Sequence, residues 1–330
     1  MLDFDYSAVK KRLSERKNIV ITTHKSPDGD ALGSSLALFL ALRSKHNVQV
    51  IVPNEFPYNL HWMPSVKNVI IYENDIINSN ILLDKADLIF CLDFNKPHRT
   101  YLMSDKLESS KAYKIMIDHH EDPDNFCDQV LSMPSISSTA ELMYQFLTNI
   151  DHTINKDMSI CLYTGIITDT GSLKYPNVTQ KTHEIVANLM SYNINHSLIH
   201  QNLFDNQNKS RFELLKICLQ NLIIYKEFNS ALIFLKESDL LNSQYKKGDT
   251  EGFVNIPLSI KKIHFSAFFI EFNDGIKISF RSQGDFDVNL FAKSYFNGGG
   301  HKNAAGGFID NKNMTNAIDY FSSSLQDYLK

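Results

Sequence analysis

Five short apolar runs in the first third of the chain limit what it can become: NIVITT (Asn18 to Thr23), VQVIV (Val48 to Val52), NVIIY (Asn68 to Tyr72), DLIFCL (Asp87 to Leu92) and KIMI (Lys114 to Ile117). Each is short, bounded by polar residues and nearly continuous in apolar character, which is how a strand buried on both faces reads. Between several of them lie stretches with helical spacing, the clearest running from Ala31 to Arg43 behind Asp30 as the expected N-cap. Apolar strands alternating with helices predict an α/β domain built on a doubly wound, mainly parallel sheet. Ligands of such sheets bind beyond the carboxyl ends of the strands, so the polar residues after each run are where chemistry belongs.

Past Ser137 the pattern turns helical, over Ser138 to Asn149, Lys156 to Thr168, Gln180 to Tyr192 and Ser210 to Ile224. Near Tyr225 the period changes to two-residue alternation, with strands expected over Ala231 to Leu235, His264 to Phe272 and Gly275 to Arg281. A chain of 330 residues that is 43% hydrophobic can bury two cores. The expected organisation is a catalytic domain over 1–204, a helical linker over 205–225 and a smaller α+β substrate-binding domain over 226–330.

Bulk properties exclude several classes. No uninterrupted apolar run approaches the roughly 18 residues of a spanning helix, and the first seventeen residues are too polar for a signal peptide, so a cytoplasmic protein with no membrane partner is expected. Cys91, Cys127, Cys161 and Cys218 are scattered, form no C-x-x-C pair and read as reduced core thiols. A formal net charge of -4 argues against a surface that grips long duplex DNA through many phosphates. Any nucleic-acid substrate should be short.

The residues at the exits of these strands are chemically dense. His24, Asp28 and Asp30 come after the first run in HKSPDGD, Asp93 after DLIFCL, Asp118-His119-His120 after KIMI, and Asp169 ends a helical segment in TDTG. Each has a plain reading: Asp28 and Asp30 as turn formers, Asp30 as a cap, Asp93 as a turn acid. Asp169 has less excuse, because a carboxylate at a helix C-terminus opposes the macrodipole. Gathered at one sheet edge, so many carboxylates would raise one another's pKa values unless cations compensate them. Carboxylate oxygens with a minority of imidazoles and no thiolates suit two Mn²⁺ ions, with Mg²⁺ or Co²⁺ as substitutes. One ion would take His24 and Asp28, the other Asp30, His119 and Asp169, and Asp93 would bridge them. Such a pair clamps a phosphoryl oxygen during in-line displacement, the chemistry of phosphoester hydrolysis. His120 would contact the scissile phosphate or assist proton transfer, and Asp118 would orient its neighbours.

HKSPDGD, the Asp93 after its apolar strand, the DHH tripeptide and the Asp of TDTG, in this order, resemble the four motifs of the DHH phosphoesterases. The resemblance implies a two-metal hydrolase, usually manganese-dependent, and agrees with the ligand assignment above. The tail, Phe280-Arg281-Ser282 followed by Gly298-Gly299-Gly300-His301 and Ala304-Ala305-Gly306-Gly307, is similar to the DHH-associated substrate domain. Three glycines in a row would let backbone N–H groups approach an anion in a nest, and the AAGG after them reads as a tight turn entering a helix. Arg281, Ser282, Gly299, Gly300 and His301 are the expected substrate contacts there, Arg281 forking onto a terminal phosphate. Lys174 and Tyr175, in the loop after Asp169, and Arg99, six residues past Asp93, are further candidates.

Within this family the two-domain size and the tail look most like the bacterial enzymes that degrade short RNA and remove the 3′-phosphate of adenosine 3′,5′-bisphosphate. The expected partners are therefore short single-stranded RNA and small phosphorylated nucleotides, and the resemblance also implies a homodimer. One competing reading is hydrolysis of linear dinucleotides derived from cyclic-dinucleotide signals. A second, from another class, is a nucleotide sensor that binds without turnover.

Overall fold

The apolar runs form neighbouring parallel strands because nothing on either side of them wants water. In the computed structural model, which describes residues 4–310 and 313–329, the first unit contains β1 (Asn18–Thr22), β2 (Asn47–Val52), β3 (Val69–Ile71), β4 (Leu88–Leu92), β5 (Tyr113–Asp118) and β6 (Gln129–Ser132). They pair throughout in parallel, in the order β3-β2-β1-β4-β5-β6. Its helices are α1 (Tyr6–Arg12), α2 (Gly29–Leu42), α3 (Ile76–Asp84), α4 (Ser104–Ser109), α5 (Thr139–Asn149), α6 (Lys156–Asp169), α7 (Gln180–Met190) and α8 (His196–His200).

Alternate residues of each strand serve opposite faces. Ile19, Ile21, Phe90, Leu92, Ile115 and Ile117 pack with α2, α5, α6 and α7, whereas Val20, Ile89, Cys91 and Met116 pack with Leu83 of α3 and Leu107 of α4. Helices thus cover both faces, and the sheet is doubly wound. The chain builds outward from β1 to β3, then returns to place β4 on the other side of β1. That reversal opens a crevice between the ends of β1 and β4.

One helix is buried on every side. All fourteen residues of α2 are buried, which explains its lack of a polar face. Its approach to α6 depends on missing side chains: a Cβ on Gly33 would lie 2.5 Å from the Cys161 carbonyl oxygen, and one on Gly29 would lie 2.4 Å from Thr168 Oγ1.

The chain divides between Asn206 and Gln207. The second unit holds β7 (Ile223–Tyr225), β8 (Ser230–Leu235), β9 (Phe265–Phe272), β10 (Gly275–Ser282), β11 (Gly299–His301) and β12 (Ala304–Ile309), with α9 (Lys209–Gln220), α10 (Glu237–Asn242), α11 (Val288–Tyr295) and α12 (Met314–Tyr328). The sheet runs β11-β12-β10-β9-β8-β7, with β8 and β9 parallel and the other pairs antiparallel. Phe265, Phe269, Phe280, Phe291, Phe296 and Phe321 fill the core between this sheet and α11 and α12.

Three expectations need correction. The helical linker expected over 205–225 is divided: α9 buries Leu214 and Cys218 against Ile233, Leu235 and Phe253 of the second unit, and Ile223–Tyr225 is a strand. An amphipathic helix with an apolar stripe packs rather than spans. The GGGH and AAGG segments do not form a nest entering a helix. They are the two strands of a hairpin, in which Gly299, Gly300 and His301 pair with Gly306, Ala305 and Ala304. Finally, Asp30 does not cap α2; Asp28 does, accepting from the N–H groups of Asp30 and Ala31, each at 3.0 Å.

All four cysteines are buried free thiols. No helix among the described residues is long and apolar enough to cross a membrane.

Candidate metal centre

Three adjacent strand ends carry the chemistry. His24 follows β1, Asp93 follows β4, and Asp118 ends β5 with His119 and His120 behind it. Because β1, β4 and β5 are neighbours, these side chains meet at one edge. Asp28 and Asp30 arrive from the start of α2 and Asp169 from the last residue of α6.

Asp93 lies at the centre. It is 2% exposed and sits at φ +64°, a conformation that aspartate tolerates better than most residues. Its N–H extends the ladder by donating to the Ile117 carbonyl at 3.1 Å. Its Oδ2 is 3.3 Å from His24 Nε2, and its Oδ1 is 3.6 Å from His119 Nε2. His24 Nε2 also lies 4.0 Å from Asp28 Oδ2, and His119 Nε2 lies 3.6 Å from Asp169 Oδ2 and 4.0 Å from Asp30 Oδ2.

The tautomers follow from the backbone. His24 Nδ1 is 2.8 Å from the Lys25 carbonyl oxygen, which can only accept, so Nδ1 carries the proton and Nε2 of the neutral ring turns a lone pair toward Asp28 and Asp93. His119 has a longer Nδ1 contact, 3.5 Å to the Ile136 carbonyl oxygen, with the same polarity. A lone pair directed at carboxylate oxygens is repulsive unless a proton or a cation lies between them. Atoms each about 2.0–2.2 Å from a common divalent ion lie roughly 3–4 Å apart, which is the spacing found here. The donor set and its spacing therefore fit metal ions. His24, Asp28 and Asp93 form one group whose ligand atoms lie within 4.8 Å of one another, and Asp30, Asp93 and His119 form another. Asp93 belongs to both.

The electrostatics point the same way. Burial, reinforced by the carboxylates of Asp93, Asp169 and Asp28, pushes Asp30 well above the usual carboxylate range, although both its oxygens accept N–H bonds at the start of α5, from Thr139 at 2.7 Å and Ala140 at 2.8 Å. Burial would also raise Asp93, but the His24 hydrogen bond and the charges of His24, His120 and His119 hold it well below that range. Burial lowers both His24 and His119, and the neighbouring carboxylates more than reverse this, leaving both raised.

His120 is placed differently. Its Nδ1 lies 2.7 Å from Asp118 Oδ1, which makes Nε2 the ring nitrogen on the side away from Asp118. Asp118 is completely buried, and its Oδ2 has no hydrogen-bond partner among the described residues. Burial and the Arg99 charge lower His120 despite the Asp118 bond. Arg99 also opposes the raising of His24, so its charge is felt at this cluster. Lys174 is exposed on the loop after α6, where Gly171, Ser172 and Leu173 all have positive φ and the Tyr175 ring packs on Gly171.

In the second unit, Arg281 and His301 both pair with Ala304, from β10 and β11 on either side of β12. Directly paired residues share a face, so the two basic side chains flank a methyl group. The Ser282 hydroxyl is committed to structure, donating to the Phe286 carbonyl at 2.7 Å and accepting from Asn303 Nδ2 at 2.8 Å. Gly300 N–H donates to Asn289 Oδ1 at 2.9 Å and is taken in the same way. Gly299 is a ladder residue beside it.

Sequence reasoning missed Thr139, whose hydroxyl donates to Asp93 Oδ1 at 2.8 Å while its N–H holds Asp30. The signal was the hydroxyl-rich start of α5, where Ser138 caps by accepting from Glu141 N–H at 3.0 Å.

A buried carboxylate and imidazole cluster at the switch point of a parallel sheet, with a separate mixed-sheet unit after it, has the donor set of a metal-dependent hydrolase. The chain belongs to the DHH family: the model of the DHH family N-terminal domain matches residues 18–166, and that of the DHHA1 domain matches residues 229–330. The crystal structure of an exopolyphosphatase-related protein from Bacteroides fragilis is 42% identical, covers 98% of this chain and 96% of its own, and superposes with a TM-score of 0.91. The bifunctional oligoribonuclease and PAP phosphatase NrnA of Bacillus subtilis is 28% identical over 91% of each chain. Its Thermus thermophilus counterpart is 25% identical over 94% of this chain and 90% of that protein.

Proposed function

We propose that this protein is a two-cation phosphoesterase that hydrolyses short oligoribonucleotides to mononucleotides and removes the 3′-phosphate of adenosine 3′,5′-bisphosphate. The observation that carries this reading is Asp93, whose two oxygens face two different imidazoles at 3.3 and 3.6 Å. In the proposed site His24 and Asp28 would hold one ion, Asp30, His119 and Asp169 would hold the other, and Asp93 would serve both. Bound divalent ions, Mn²⁺ by preference, would polarise the phosphoryl group and supply activated water.

The chain's own residues do the rest. Arg99 adds a positive charge beside the cluster and favours an anionic ester. Asp118 fixes the His120 ring through Nδ1, so that Nε2 is the atom that moves a proton at the scissile ester as the P–O bond breaks. Arg281 and His301, flanking Ala304, form a seat for a terminal phosphate. Short RNA and the bisphosphate share a terminal phosphate and a ribose phosphoester, and the activities for which the Bacillus and Thermus relatives are named support this pairing.

The test is a substrate panel at fixed Mn²⁺: di- to pentaribonucleotides, adenosine 3′,5′-bisphosphate, a linear diadenylate and pyrophosphate. Mononucleotide should be released from the oligomers and inorganic phosphate from the bisphosphate. Excess chelator should abolish both and lower the thermal midpoint by several degrees, because ions that bind the folded site alone stabilise it. Turnover of pyrophosphate alone would overturn the reading, and nucleotide binding without product would favour a sensor. Asp118→Asn should lose about 10- to 100-fold in turnover while keeping metal affinity within a few-fold, the scale expected for a group that orients another. Wild-type kinetics in that variant would remove Asp118 from the mechanism.

A further inference from the structure

Two residues beyond Arg99 the backbone adopts a shape that side chains avoid. Tyr101 sits at φ 57°, ψ -124°, inside the 3-10 segment Pro97–Met103. Strain of this kind in a non-glycine residue persists where the surroundings enforce it, and it concentrates at ligand sites. Here the enforcement is visible. Thr100 and Met103 on either side are fully buried, and Thr100 Oγ1 donates back to the Pro97 carbonyl at 2.8 Å. Between these anchors Tyr101 is turned outward, 45% exposed, and contributes nothing to the core.

The ring is nonetheless held in place. Lys25 Nζ lies 3.5 Å from its centroid, a close cation-π contact. Lys25 N–H donates to the Arg99 carbonyl at 2.7 Å, tying this segment to the residue that follows His24. An ammonium covers one face of the phenol, and the residue is still 45% exposed. Beside the proposed site, one short segment and its tether therefore carry a guanidinium, an ammonium and an exposed phenol. That combination suits a ligand carrying both phosphate and a flat ring.

We propose that Tyr101, backed by Lys25, is the platform on which a nucleobase of the substrate stacks, and that it makes this site favour nucleotides over base-less phosphate esters. The proposal deepens the nucleotide-hydrolase reading above and rests on it. Because every base has a π face, the platform confers selectivity for a base without selecting which one.

The experiment uses the full chain with Mn²⁺ and two substrates, a diadenylate and the same dinucleotide with both bases replaced by hydrogen. For Tyr101→Ala, KM for the diadenylate should rise about tenfold or more, within the range of aromatic-to-base stacking, with kcat within about threefold. Tyr101→Phe should behave as wild type, since it keeps the face. The abasic dinucleotide should show the same KM in all three proteins. Unchanged KM for the diadenylate in Tyr101→Ala would overturn the proposal, as would an equal rise for both substrates, which would indicate a structural role. Calorimetric binding of both dinucleotides separates this from the parent reading: a wild type that binds the diadenylate at least about tenfold better than Tyr101→Ala, yet cleaves neither substrate, sinks the hydrolase and keeps the platform. Equal affinities sink the platform.

Discussion

Asp93→Asn is expected to lower turnover by about a thousandfold or more, a loss of roughly 4 kcal/mol of transition-state stabilisation, because it weakens both proposed ion sites at once. Asparagine keeps the size of the side chain, tolerates the positive φ of this position and retains an oxygen for the Thr139 hydroxyl. The fold should therefore survive. The metal-free variant should melt somewhat lower than the metal-free wild type, because asparagine gives up the His24 and His119 interactions that hold Asp93 ionised, a loss offset in part by relief of buried Asp30. Steady-state kinetics with Mn²⁺ titration and a thermal melt in chelator check both halves. Turnover within tenfold of wild type would show that Asp93 does not serve two ions.

Gly33→Val should do comparable harm from a position that touches no substrate. A Cβ there would stand 2.5 Å from the Cys161 carbonyl oxygen and 3.0 Å from Gly165 N, both backbone atoms that cannot swing aside. Helix α2 cannot retreat, because all fourteen of its residues are enclosed. Overpacking of this kind costs about 1–3 kcal/mol or more, which for a unit of this size is a fall in melting temperature of roughly 2–12 °C. The displacement also reaches the metal centre. Asp30 rides on α2 and Asp169 on α6, and a Cβ on Gly165 would already lie 2.9 Å from Asp30 Oδ1, so widening the helix pair moves these two carboxylates apart. The Mn²⁺ concentration for half-maximal activity should rise along with the loss of stability. A variant that melts and titrates like wild type would mean that the α2–α6 spacing does not set the site.

Asp93 and Gly33 separate what can be read locally from what cannot. Strands β1 to β5 are legible because burial on both faces leaves near-continuous apolar runs. β6, with the four residues QVLS, is too short to leave such a trace. The segment from Gly298 to Gly307 resists reading for a different reason: glycine and alanine carry no alternation, so hairpin and loop look alike. What makes it a hairpin is close backbone approach, since a Cβ on Gly298 would fall 1.9 Å from the Gly306 carbonyl oxygen. In PDGD, either aspartate could cap the helix. Asp28 does so because Asp30 is engaged by the N–H groups of Thr139 and Ala140, more than a hundred residues away.

Side-chain chemistry is carried by each residue wherever it lies, which is why the residue types of the candidate site and the family were evident from the order of amino acids. Position is not carried that way. Parallel ladders pair with similar energy in many orders, so nothing local dictates that β4 returns beside β1. Packing decides it: α2, enclosed by the sheet, α5 and α6, brings Asp30 and Asp169 to the edge where His24, Asp93 and His119 already stand.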